Sequence, residues 1–123
     1  MAWKNYNRPN KYNNHKTIVD GIKFDSIREA ERYQELKLLE TAGEISHLEL
    51  QPIVVLQDKF IYQGRMFRAI TYRADFAYFD RTVNRGVIED VKGMETDVFK
   101  IKKKMFLKKY GDCLLYTSPS PRD

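Results

Sequence analysis

The sequence has little of what would place it in a membrane, outside the cell or among thiol chemistries. One cysteine, Cys113, occurs in 123 residues. It supports neither a disulfide nor a thiolate metal site, all the more because it lies in a terminal stretch that reads as foreign. No apolar run approaches the length of a membrane span, and the N-terminus lacks the apolar core of a signal peptide. The cytoplasm is the default compartment, with no membrane partner. A Gly-rich phosphate loop and a nucleophile–histidine constellation are both missing, which argues against small-molecule enzymes of those kinds. His15 stands alone and carries no assignment, and His47 reads as a half-exposed strand residue.

What is present is a basic, globular composition. Hydrophobic residues make up 42%, enough for one domain with one modest core. Twenty-two Lys and Arg against seventeen Asp and Glu give a net charge of +5. Such an excess favours a polyanionic partner. The terminal residues Cys113-Leu114-Leu115-Tyr116-Thr117-Ser118-Pro119-Ser120-Pro121-Arg122-Asp123 back-translate without strain into a transposase-based sequencing adapter. Residues 112–123 are therefore set aside as a non-native tail. The net charge up to residue 112 is still +5. The natural chain is expected to continue past Gly111.

Residues 1–15 are polar, Asn-rich and basic, and read as a flexible arm. Residues 16–111 form the expected domain. Asp20-Gly21 suits a two-residue type I′ turn between Thr17 and Phe24. Ser26 with Glu29 is a capping box opening a helix that runs to about Thr41, with Gly43 as its stop. Ile27, Ala30, Tyr33, Leu36 and Leu39, joined by Leu38, give its apolar stripe. Arg28, Glu31, Arg32, Glu35 and Glu40 are expected to face outward. Residues 44–51 form an extended segment ending at Pro52. Ile53 to Gln57 reads as a strand buried on both faces. Asp58 to Arg65 is a polar connection. Met66 to Phe79 reads as one long strand or two joined by a bend, and residues 86–92 form the next strand. A helix from about Asp97 to Tyr110 is expected to bury Val98, Phe99, Ile101, Met105, Phe106 and Tyr110. Its lysines line the other side.

Residues two apart on a strand share a face. Asp90 and Lys92 therefore point one way, and Glu89 the other with Val87 and Val91. Two carboxylates and a lysine at the end of a sheet suit metal-assisted phosphoryl hydrolysis, since carboxylate oxygens are hard ligands for Mg²⁺. On the D-x-K spacing by itself, an ordinary Asp–Lys cross-strand pair on a solvated edge is the better explanation, because the pattern is short and common.

The context is more specific. Val19-Asp20-Gly21-Ile22-Lys23-Phe24-Asp25-Ser26 with Glu29, then Gln51-Pro52, Arg73-Ala74-Asp75-Phe76, Glu89-Asp90-Val91-Lys92-Gly93 and the lysine-rich helix occur in this order. In that combination the chain resembles the PD-(D/E)xK, restriction-endonuclease-like superfamily. Within it, the chain is most similar to small, largely uncharacterised phage and prophage proteins. The resemblance spans about Lys11 to Gly111. It implies an α/β (α+β) fold with an α-β-β-β-α core and a mixed central sheet. The final strand of that fold is expected to be lost by truncation.

The resemblance implies a Mg²⁺- or Mn²⁺-dependent endodeoxyribonuclease, phage or prophage encoded and working in a bacterial cytoplasm. Asp75 and Asp90 become the metal ligands, Lys92 the motif lysine and Glu29 an auxiliary acid. The capping box accounts for Glu29 equally well. Ala74 stands where the motif has proline. Gln51, Lys100 and Lys102 are expected to contact nucleic acid, though six lysines between residues 100 and 109 also make an ordinary solvated face. DNA is the expected partner, and a homodimer is compatible with this reading. Two other readings stay open: a non-catalytic nucleic-acid-binding module of the same fold, and a phage structural or interaction protein.

Overall fold

The protein is described from a computed structural model, covering residues 16–91 and 95–118. The expected arm, residues 1–15, lies outside the described residues, as does Lys92. Strands β1 (Thr17–Val19) and β2 (Ile22–Phe24) form an antiparallel hairpin. Asp20 and Gly21, with φ of 54° and 76°, make its turn, a left-handed pair for which Asp-Gly is suited. Helix α1 (Ile27–Thr41) follows. The Ser26 hydroxyl caps it, accepting a hydrogen bond of 3.1 Å from the Glu29 N–H.

The central sheet has four strands: β3 (Ile45–Leu50), β8 (Phe76–Asp80), β9 (Arg85–Val91) and β10 (Leu114–Ser118). Their order is β10-β9-β8-β3. The β10–β9 pair is parallel and the other two pairs are antiparallel, so the sheet is mixed. Helix α2 (Asp97–Lys109) connects β9 to β10. The core elements thus run α1, β3, β8, β9, α2, β10. Strand β10 is built from the terminal stretch, Leu114–Ser118. It occupies the edge slot where the final strand was expected to be missing, and its Leu114 and Leu115 supply one apolar side chain to each face.

Between β3 and β8 the chain makes an excursion. Strands β4 (Ile53–Gln57) and β7 (Ile70–Arg73) pair with each other, and β5 (Phe60–Tyr62) pairs with β6 (Arg65–Phe67) further out. The expected long strand from Met66 to Phe79 is therefore three strands, and the expected polar connection contains β5. Strand β4 is not buried on both faces. It has one strand partner, and Ile53 is 64% exposed.

Alternation along β9 divides the core in two. Val87 packs with Phe24, Ala30, Tyr33, Leu36, Phe76 and Tyr78 beneath α1. Ile88 packs with Leu56, Tyr72, Ala74, Phe99 and Phe106 beneath α2. One helix therefore covers each face. Ile27 and Leu38 are exposed, so the α1 stripe is narrower than its sequence suggests. Helix α2 is rotated from the expected face: Val98 and Ile101 are exposed, whereas Phe99 and Phe106 are buried. Phe99, Phe106 and the half-buried Tyr110 offer more area than Val98 and Ile101, and the stems of Lys102 and Lys103 lie half-buried along the same side. No helix among the described residues is long and apolar enough to cross a membrane.

Candidate metal centre

Three carboxyl side chains from three separate elements meet where the β4–β7 pair departs from the central sheet. Asp75 sits in the joint between β7 and β8. Its backbone is fixed on two sides: its N–H donates to the Glu89 carbonyl at 3.1 Å, and its carbonyl accepts from the Gln51 N–H at 2.9 Å. Its side chain accepts from the Val91 N–H at 2.7 Å. Asp90 projects from β9 on the α2 side and is buried. The Tyr72 hydroxyl donates to Asp90 Oδ2 at 2.7 Å and holds its carboxylate in one orientation. Glu29, also buried, comes from the first turn of α1.

The three groups feel one another. The Glu29 and Asp75 carboxyls are within hydrogen-bonding reach, as are those of Asp75 and Asp90. Asp75 is pushed up to about 8, first by burial, then by its shared hydrogen bond with Asp90 and the negative charges of Glu29 and Asp90; the Val91 N–H opposes this. Glu29 is also raised, chiefly by burial, while its hydrogen bond to Asp75 acts the other way. Tyr72 is raised by burial and by its bond to the Asp90 carboxylate. Glu29 serves two ends at once: its backbone takes the Ser26 cap, and its side chain reaches both the Asp25 backbone and Asp75.

Among the described residues, no group of three or more His, Cys, Asp or Glu side chains already stands in metal-holding geometry. The carboxyls are turned onto each other, onto the Val91 N–H and onto the Tyr72 hydroxyl. The donor chemistry nonetheless fits a hard divalent cation. All three side chains offer oxygen, and Asp75 is raised first by burial and then by its acidic neighbours, both of which a bound positive charge would offset.

The alternation along β9 separates Glu89 from this cluster. Glu89 points to the α1 side, where Arg32 grips both carboxylate oxygens and the Tyr78 hydroxyl donates to Oε1 at 2.7 Å. Arg32 is thus turned inward, contrary to its place on the expected outer face of α1. The reason is tertiary: a buried carboxylate on β9 needs a charged partner. Arg32 is raised, mainly by this hydrogen-bonded pair.

Of the other residues singled out by sequence, Lys92 lies outside the described residues. Gln51 touches the site through its backbone, and its side chain is exposed. Lys100 is exposed and Lys102 half-buried on α2, whose Phe99 packs 5.9 Å from the Tyr72 ring. Tyr72 was not foreseen. Three residues before Asp75, it reads as one more aromatic in a β-prone run, and only the fold shows that it meets β9.

The chain matches the family model described as "Protein of unknown function (DUF1064)" over residues 9–120. No curated protein and no solved structure matches it.

Proposed function

Taking as premise that the chain belongs to the DUF1064 family, we propose that it is a metal-dependent nuclease that hydrolyses phosphodiester bonds in DNA. We further infer that the family is a branch of the PD-(D/E)xK superfamily and that this member is phage or prophage encoded. The observation that carries the reading is the meeting of Glu29, Asp75 and Asp90, three oxygen donors from α1, the β7–β8 joint and β9. A domain that only bound nucleic acid would gain nothing from crowding three carboxyls, an arrangement that lowers stability and repels phosphate.

Asp75 and Asp90 would hold a Mg²⁺ or Mn²⁺ ion, with Glu29 beside them. Such an ion polarises a phosphoryl oxygen and makes its bound water acidic. The chain's own groups prepare the site for it. The Val91 N–H and the Asp75 backbone bonds fix Asp75, and the Tyr72 hydroxyl fixes Asp90. Lys92 is assigned to the attacking water by the resemblance, as the lysine two residues beyond Asp90 in the motif. The basic excess of the chain draws the polyanion in.

The test is cleavage of branched, single-stranded and duplex DNA by the full chain, with Mg²⁺ or Mn²⁺ against EDTA. Cleavage should require the cation, and Asp90→Ala should lower it by about 10²–10³-fold or more, the range seen when a charge-stabilising group is removed. Activity that survives in Asp90→Ala at the wild-type rate would refute the assignment.

A further inference from the structure

The excursion between β3 and β8 is a two-stranded ribbon with its root at the candidate site. Pro52 and Ala74 join its base by a backbone hydrogen bond of 3.1 Å, next to Asp75. From Arg73 the ribbon runs back through β7 and β6 to the turn at Gln63 and Gly64. These nine residues, seven of them in β6 and β7, reach about 30 Å at most. Both turn residues are left-handed, with φ of 51° and 76°, which closes β5 and β6 as a tight hairpin. Among the described residues no third strand pairs with either.

This outer hairpin is exposed on both sides, yet it is not polar. Phe60, Ile61, Tyr62, Met66 and Phe67 are all exposed. Register puts Phe60 opposite Phe67 and Tyr62 opposite Arg65, so these four share one face. The two phenylalanine rings stack at 5.1 Å with planes 9° apart, and the Arg65 guanidinium lies 5.3 Å from the Phe67 ring centre. Ile61 and Met66 occupy the other face. From Lys59 to Arg73 the sequence contains Lys59, Arg65, Arg68 and Arg73 and no acidic residue. A small ribbon that leaves large apolar side chains in water, with these four cations against one acidic residue, Asp58 in the bend before Lys59, is built to meet something flat and anionic.

We propose that the β5–β6 hairpin is the arm with which the chain grips DNA, its Phe60–Phe67 face stacking on unpaired bases. The substrate class is then DNA with single-stranded character near the cleaved bond. Every base offers a flat π-face, so stacked aromatics suit unpaired bases without regard to sequence. Lys59, Arg65 and Arg68 follow the phosphates beside them. Inside a continuous duplex those faces are already stacked on one another. The inference builds on the reading that DNA is the substrate.

The experiment is fluorescence anisotropy of the full chain in EDTA with a labelled oligothymidylate and with a duplex of the same length. Wild type should bind the single strand more tightly. Phe60→Ala/Phe67→Ala should weaken single-strand binding by at least about tenfold and duplex binding much less. Tyr62→Ala, which removes an outlying ring, should give a smaller loss of the same kind. Arg65→Ala/Arg68→Ala should flatten the salt dependence by about one to one and a half log units per log unit of salt. Unchanged single-strand binding in both aromatic variants overturns the proposal, as does an equal loss on duplex. A dimer in sedimentation that Phe60→Ala/Phe67→Ala dissociates also overturns it, because the face is then covered by a second copy. Binding is read without metal, so the nuclease assignment fails separately. Stacking without any metal-dependent cleavage would sink the enzyme and leave the arm. Cleavage that is indifferent to the arm would do the reverse.

Discussion

Asp75→Asn should make the metal-free protein more stable at pH 8 while removing its metal-dependent cleavage. Asp75 carries its proton up to about 8 in the folded chain, against an ordinary value of 3.8. The main cause is burial, joined by the hydrogen bond with Asp90 and the charges of Glu29 and Asp90. The sign follows from linkage. Between about pH 4 and pH 8 the folded state holds a proton that the unfolded state has released. The group's contribution to stability is fully present below about pH 4 and is lost as pH rises through about 8. Asparagine cannot ionise, and its side-chain oxygen can still accept from the Val91 N–H. The advantage of the variant should therefore widen from pH 4 to pH 8 and then level off. Because Asp75 is partly open to solvent, the gain at pH 8 is set at about 1–3 kcal/mol, several degrees in Tm for a domain of this size. Thermal melts in EDTA at pH 5 and pH 8 measure it. The same change removes a charged ligand, so cleavage should fall with that of Asp90→Ala. A variant less stable than wild type at both pH values would mean that Asp75 is a structural group.

A second large effect is expected on the other side of β9. Arg32→Ala should cost about 3 kcal/mol or more. Glu89 is 2% exposed, and Arg32 and the Tyr78 hydroxyl are its hydrogen-bonding partners in the fold. Without the guanidinium, the tyrosine hydroxyl is left to hold a buried charge. Replacing both charges, as in Arg32→Met/Glu89→Leu, should restore most of the loss, since apolar packing can replace a buried pair without stranding an ion. Urea denaturation of the single and double variants decides this. Equal midpoints for wild type and Arg32→Ala would contradict it.

What could be read from the sequence was mostly local. Asp20-Gly21 specifies its turn, and Ser26 with Glu29 specifies the start of α1, because turn and cap chemistry act within a few residues. The two faces of β9 also followed from alternation, which placed Glu89 apart from Asp90. The family pattern directed attention to Asp75, far from Asp90 in sequence but adjacent in the sheet. The misplaced features depend on tertiary partners. Arg32 looked like a solvent-facing residue until Glu89 was placed beneath it. Val98 and Ile101 looked like core residues until the aromatics at 99 and 106 took the packed side of α2. The ribbon was hidden because β4 through β8 form one nearly continuous β-prone stretch. Its bends near Asp58 and Ala69, and the left-handed pair at Gln63 and Gly64, leave only one glycine as a mark in the sequence.

The most direct test of the central claim is calorimetric titration of Mn²⁺ into the full chain at pH 6, 7 and 8, with Asp75→Asn and Asp90→Ala beside wild type. If Glu29, Asp75 and Asp90 hold one cation, wild type should bind it with release of a proton. Affinity should rise toward pH 8 as Asp75 gives up its hydrogen, and both variants should lose the binding. No uptake by wild type at pH 8, or uptake that persists unchanged in both variants, would contradict it.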